Sequence, residues 1–466
     1  MSRGRRLLAL CLMFAAIAFL VPHPANVTPQ GWRQAAIFFT TIAGMVVEPL
    51  PAPALVLLAL TASVANGTPL REAFSGYAEP SVWLVVAVML IARSLLSSGL
   101  ARRIALVFVR AFGRSSLGIS YALVATDVTL AAGVPSITAR SAGMVLPVPI
   151  SIAELLGSRP GPTAGRIGTF LIAAMYQGST VACAMFLTGQ ASNLLGAELA
   201  QKLAGVRITW IDWFVAAIVP GLVSCAVVPW IAYRVLPPEI RRTPEAPAFA
   251  ARELLAMGPL SRDQWTTLGV FAGVGLLWVT SAWHGLEVAF VALLGLAVLL
   301  VSGTLSWGTC VAEKPAWDMF VWYGGLLRMG ELLNATGVTK AFAEAVGSLF
   351  AGVAWLPVLV AVLVIYFYTH YFFASITTHV LAMFPPFLVL LVGLGAPPML
   401  AAVSLLCLAN LPAGLTHYGT TSAPILYGVG YVSLRDWWRV GFVVSLANLA
   451  IWLSIGFAWW KVLGFW

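Results

Sequence analysis

Apolar runs of roughly 16–22 residues recur from end to end of this 466-residue chain, and that is the length at which an α-helix crosses a bilayer. The chain is 60% hydrophobic and only 9% charged, with a mean hydropathy of +0.93, far from the profile of a soluble domain. It reads as an all-α polytopic membrane protein.

A formal charge of +9 would suit a nucleic-acid partner, but its placement reports topology instead. Most of the 26 Lys and Arg fall in segments that share one side of the membrane: Arg3, Arg5 and Arg6, the 102–114 stretch, Arg159 and Arg166, the 234–262 stretch, Lys314, and Arg435 with Arg439. That bias is the positive-inside pattern, so the expected partner is the lipid bilayer and not nucleic acid. Cys11, Cys183, Cys225, Cys310 and Cys407 are scattered through apolar segments and read as packing residues, neither a disulfide frame nor a metal site.

Spans are expected at about 7–21, 34–48, 53–66, 82–99, 167–204, 211–234, 265–283, 286–304, 317–334, 398–432 and 437–460. The first also has the length of a signal peptide, whose loss would leave the rest unchanged. Two amphipathic arms lie between spans: GLARRIALVFVRAFGR (99–114) on the membrane surface, and GVTKAFAEAVGSLFAG (337–352) in the second half. Segments 117–156 and 353–395 are apolar on both sides of a polar middle. Arg114 and Arg159 place both ends of the first on one side, so it enters and leaves as a re-entrant hairpin. A Pro/Ala/Arg-rich cytoplasmic linker, 235–264, divides a first repeat (1–234) from a second (265–466). By alternation the N-terminus is cytoplasmic and the C-terminus outside.

The polar middles repeat. Ser-Ile-Thr stands at 136–138 and again at 375–377, once per half; Met144 and Pro147 follow the first copy as Met383 and Pro386 follow the second. Gly99 and Phe112 are matched at nearly the same offset by Gly337 and Phe350. With the first hairpin opening from the cytoplasm and the second from outside, this is an inverted repeat, the organisation of secondary transporters.

Each hairpin is followed by a span with a polar break, LTGQASNLL (187–195) and HYGTTSAPIL (417–426). Gly, Pro and small polar residues unwind a span locally, and such backbone survives in a membrane only beside protein or a water-filled cavity. Two tips and two breaks place four half-helix ends near the midplane, where free N–H groups and partial positive charge suit carboxylates or phosphates. Ser136, Thr138, Ser375 and Thr377 add hydroxyl donors, with Ser192, Asn193, Thr421 and Ser422 as further candidates. Stripping a carboxylate of water costs several kcal/mol, and a hydrogen bond to a charged group returns roughly 1.5–3 kcal/mol. Two carboxylates need about four to six donors, a number these breaks supply. A lone Ser or Thr in such a helix usually bonds its own backbone; the duplicated set with breaks in register is what lifts the functional reading above that.

The stretches PSITARSAGMVLPV, FLTGQASNLL, YFFASITTHVLAMFPPFL and THYGTTSAPILYGVGYVSLRDWWRVGF resemble the divalent anion:sodium symporter family over most of both halves. The similarity is greatest to its exchanger branch of 2-oxoglutarate/malate translocators and citrate/succinate or tartrate/succinate antiporters. The resemblance implies a dimer of eleven spans plus two hairpins, with an elevator-type transport domain moving against a scaffold, and C4–C5 dicarboxylates as substrates. It implies sodium sites built from tip residues and break carbonyls, which fall here on Ser136 and Gly189 and on Ala374 and Thr420. Where the family's first tip usually carries Asn, this chain has Ile137, which removes an oxygen for a hard cation and an amide donor for substrate. That departure points to anion exchange, with Na⁺-coupled symport, and a permease for sulfate or another divalent anion, as the alternatives.

His379, His417 and Asp127 are the remaining candidates for a proton or substrate contact. Arg140 either draws anions into the site or snorkels to the membrane surface. An intramembrane hydrolase using Ser136 or Ser375 would need a base that neither serine has at recognisable spacing, and an anion channel would share the hairpins but conduct without counterflow. A transporter without a cofactor, in a bacterial inner membrane, is the expectation.

Overall fold

The computed structural model describes residues 3–25, 27–338, 341 and 353–466. These residues are predominantly helical, with no strand among them. The second arm expected at 337–352 lies almost wholly outside the described residues. Helices Pro80–Ser97, Trp210–Val235 and Ile376–Gly393, with the continuous helical stretches Trp355–Phe372 and Leu434–Val462, are long and apolar enough to cross a membrane. Shorter apolar helices accompany them, among them Ala52–Ala65, Ser116–Ala131 and Val288–Val301.

Local chemistry sets the helix starts. Thr28 Oγ1 accepts from Gly31 N at 3.1 Å and Ser115 Oγ from Gly118 N at 3.1 Å, each satisfying an N–H the helix cannot. Thr209 with Asp212, and Ser261 with Gln264, form reciprocal capping boxes. Pro29, Pro80 and Pro398 stand in first turns, where a missing N–H costs nothing.

The helices sort into two packing groups. In one, Lys314–Ala335 packs on Pro29–Val47, Ala52–Ala65 and Pro80–Ser97, and Val288–Val301 packs on Pro80–Ser97 and Arg262–Val279. In the other, Gly168–Met185 lies between Ser116–Ala131 and Trp210–Val235, and Ala191–Ala204 and Pro398–Leu408 pack on Ile376–Gly393. Glycines permit close approach inside the second group. A Cβ at Gly178 would lie 2.3 Å from Val124, and one at Gly196 would lie 2.1 Å from Leu406. The arm Leu100–Phe112 runs from Pro80–Ser97 to Ser116–Ala131, and the linker helix Glu245–Ala256 packs along it.

Both polar middles interrupt their helices as expected. Ser116–Ala131 stops before the first triplet, and the chain resumes as a π-helical turn, Thr138–Val145, followed by Pro147–Leu155. Trp355–Thr369 stops before the second, and Ser375 caps Ile376–Gly393. The two breaks are unequal. The first spans 186–190 and resumes as the long half-helix Ala191–Ala204. The second runs irregularly past Leu411–Gly414 and resumes only as Ala423–Gly428. Gly414 and Gly419 in the second break loosen the backbone where a helix would form.

Candidate functional site

A cavity of about 600 Å³ lies between the two packing groups. One wall is made by Ser136, Ile137 and Thr138, by Ser375, Ile376 and Thr377, and by Gln190, Thr420 and Thr421; the facing wall by Glu48–Ala52, Met319 and Trp322. The two triplets, distant in sequence, therefore share one space, of a size suited to a small molecule. No lysine, arginine or histidine is among the lining residues. An anion here must be held by hydroxyls, an amide and the unsatisfied N–H groups of helix starts.

The tips are held by short-range bonds. Ser136 Oγ accepts from Ala139 N at 3.2 Å and Ser375 Oγ from Thr378 N at 3.5 Å, so each serine caps the helix that follows its tip. Ala191 N donates to Pro135 O at 3.0 Å, tying the first break to the first tip. Thr138 and Thr421 face each other with their hydroxyl oxygens 2.5 Å apart, a contact between the first tip and the second break.

Three expected donors are turned away from the cavity. Asn193 is buried, its Nδ2 donating to Cys183 O at 2.8 Å and Phe186 O at 3.0 Å, while its Oδ1 accepts from Asn410 Nδ2 at 2.9 Å. It satisfies carbonyls that the first break frees. Ser192 is buried behind the break, and Ser422 is buried with its hydroxyl 3.0 Å from that of Thr420. The Thr420 hydroxyl is also engaged, 2.8 Å from the Tyr176 hydroxyl and accepting from Ala423 N at 3.0 Å.

The candidate proton contacts are likewise off the cavity wall. Asp127 is fully buried and pairs with Arg140 Nε at 3.1 Å. His379 is buried against Tyr366, His370 and Phe373, with Nε2 on Tyr366 O at 2.9 Å. His417 accepts from Trp438 Nε1 at 3.4 Å and packs beside Tyr418 and Tyr427.

Arg140 does not snorkel, nor does it reach the cavity. It is fully buried, and its Nη1 donates to Val134 O at 2.5 Å and to Gly189 O at 2.6 Å, with Nη2 3.1 Å from Cys183 Sγ. A guanidinium thus occupies the nook between tip and break, using the Gly189 carbonyl foreseen for a cation. In the second half His370 Nε2 lies 2.8 Å from Gly419 O and must donate to it, since a carbonyl can only accept. Ala374 is exposed outside the cavity wall. The Gly189 and Gly419 carbonyls thus each accept from a side chain of this protein, and the Thr420 hydroxyl is bonded to Tyr176. His370 and Gln190 escaped the sequence reading; both stand within five residues of a tip or break motif, the only signal that could have marked them.

Helices of membrane-crossing length, paired interrupted helices and a polar cavity between two packing groups are the architecture of a membrane transporter. The chain matches the family described as sodium:sulfate symporter transmembrane region over residues 4–466, and it belongs to that family. It is 43% identical over 455 residues to "Dicarboxylate transporter 1, chloroplastic" of Arabidopsis thaliana, covering 97% of this chain and 82% of that protein. It is 40% identical to "Putative malate transporter YflS" of Bacillus subtilis, covering 97% and 95%, and 33% identical to the "Citrate/succinate antiporter" of Escherichia coli, covering 98% and 97%. Among solved structures, the Alcanivorax borkumensis YdaH transporter shares the fold with a TM-score of 0.56 at 17% identity, covering 99% of this chain and 97% of that one.

Proposed function

We propose that this protein is a secondary transporter of C4–C5 dicarboxylates of the malate, succinate and 2-oxoglutarate type, working by anion exchange. The observation that carries the reading is the shared cavity: hydroxyls of both triplets line one space that holds no basic side chain. Donors from two halves suit an anion with a charge at each end, and a site built on hydrogen bonds releases as readily as it binds. The named relatives carry dicarboxylates, malate, or citrate and succinate in their descriptions.

Exchange without sodium rests on Arg140. A guanidinium whose charge is balanced by Asp127 already donates to the Gly189 carbonyl. The second group of helices, with both tips and both breaks, is the proposed transport domain, moving as an elevator against the first group as scaffold. The repeats 1–234 and 265–466, joined by 235–264, would contribute to both. The remaining features of the proposal are eleven spans with two re-entrant hairpins, a homodimer, a bacterial inner membrane, and termini cytoplasmic (N) and outside (C). On that topology Glu48–Ala52 is cytoplasmic and the cavity faces inward.

The test is uptake of labelled succinate into proteoliposomes, preloaded or not with unlabelled dicarboxylate, with Na⁺ or K⁺ outside. Exchange requires internal dicarboxylate and proceeds equally in both salts. Uptake into empty vesicles driven by Na⁺ would replace exchange with symport, and saturable uptake of sulfate alone would replace the substrate class.

A further inference from the structure

We infer that Gln190 is a substrate-binding residue of this site, supplying the amide donor that the first tip lacks; this rests on the dicarboxylate reading above. Gln190 stands at the N-cap of Ala191–Ala204 in an extended conformation, yet its side chain makes no bond to its own helix. Ser, Thr, Asp and Asn are the residues that cap helix starts well, so a capping role does not account for a glutamine here. Its side chain instead crosses to the tip, where Oε1 accepts from Ile137 N at 3.4 Å.

That bond fixes the amide's direction. The partner is an N–H, so the oxygen must face it and the nitrogen must face away. Gln190 lines the cavity beside Ser136 and Thr138, and among the described residues its Nε2 has no hydrogen-bond partner. Ile137 lines the same wall and offers only hydrocarbon. The structure therefore places one amide with two unspent N–H donors in the same cavity lining as the Ser136 and Thr138 hydroxyls, with no basic side chain among the lining residues. A carboxylate oxygen is the acceptor that arrangement fits, because an N–H donor to an ionised acceptor makes the stronger kind of hydrogen bond.

The bland alternative is that Gln190 only ties tip to break. Gln190→Glu separates the two, because it keeps the acceptor for Ile137 N and replaces the donor with a negative charge. Gln190→Leu removes both functions, and Ile137→Asn in the Gln190→Leu background returns an amide to the same wall. Exchange of labelled succinate in dicarboxylate-loaded proteoliposomes reads KM and maximal rate for each, with monodispersity in detergent as the folding check. The expected result is a KM raised roughly ten- to a hundredfold by Gln190→Leu, at least as much by Gln190→Glu, and partly restored by the added Ile137→Asn. A wild-type KM in folded Gln190→Glu would overturn the inference and leave dicarboxylate exchange standing. Failure of the wild type to exchange any dicarboxylate would overturn the parent reading and this inference with it.

Discussion

Arg140 Nη1 donates to the carbonyl of Gly189 at 2.6 Å, joining the first tip to the first break through a side chain with no exposed surface. The same guanidinium pairs with Asp127 and holds Val134 O, so one planar cation satisfies groups from helix Ser116–Ala131, the first tip and the first break. Charge and scaffold are supplied together.

Arg140→Ala leaves the Asp127 carboxylate buried and unpaired, a change that costs about 3–5 kcal/mol. Little folded protein should survive, whereas Asp127→Asn combined with Arg140→Gln removes both charges and should recover most of the loss. Thermal unfolding in detergent measures this; an Arg140→Ala protein as stable as wild type would contradict it.

On the proposed sodium-independent exchange, with the Gly189 and Gly419 carbonyls accepting from Arg140 and His370, replacing K⁺ by Na⁺ should not move the melting temperature. A ligand bound only to the folded state raises stability with its concentration, so a Na⁺-specific rise of several degrees would show a sodium site.

Thr138 and Thr421 approach to 2.5 Å across the two halves. Replacing either by Val keeps the shape and removes a hydroxyl, which should raise the KM for dicarboxylate exchange about tenfold. Unchanged kinetics in both variants would remove this pair from the binding wall.

A Cβ at Gly178 would meet Val124 at 2.3 Å. Gly178→Ala should therefore destabilise the protein by about 1–3 kcal/mol through overpacking, and Val124→Ala in the same chain should relieve much of it. Melting curves of the single and double variants decide the point.

Lys202 on Ala191–Ala204 pairs with Glu331 on Lys314–Ala335, and Arg328 Nη1 lies 2.7 Å from the other Glu331 oxygen and pairs with Glu72. Of these, Lys202–Glu331 ties the proposed transport domain to the proposed scaffold. Partly exposed pairs contribute about 1 kcal/mol or less, enough to shift a conformational population severalfold. Glu331→Gln should change the maximal exchange rate while leaving KM within about twofold; the opposite pattern would place Glu331 in the binding step.

The all-helical membrane class, the interruption at each Ser-Ile-Thr and both breaks were legible in the sequence because a bilayer leaves few ways to satisfy backbone groups. An apolar run of given length must be a helix, and Pro, Gly and small polar residues inside one must interrupt it. The duplicated Ser-Ile-Thr likewise announced that two tips meet at one place. What the sequence could not show was where each polar side chain points once the helices pack. Asn193 and Ser422 look as available as Thr138 and Thr421 in the motif, yet the first pair is spent on the breaks and the second faces the cavity. Arg140 and Gly189 are far apart in the chain, and nothing local predicts that a guanidinium fills the nook a cation would otherwise use. Helix and break are set by short-range hydrogen-bond demand, which the sequence carries. The pairing of buried charge and donor is set by which surfaces meet, and only the packed tertiary structure determines that.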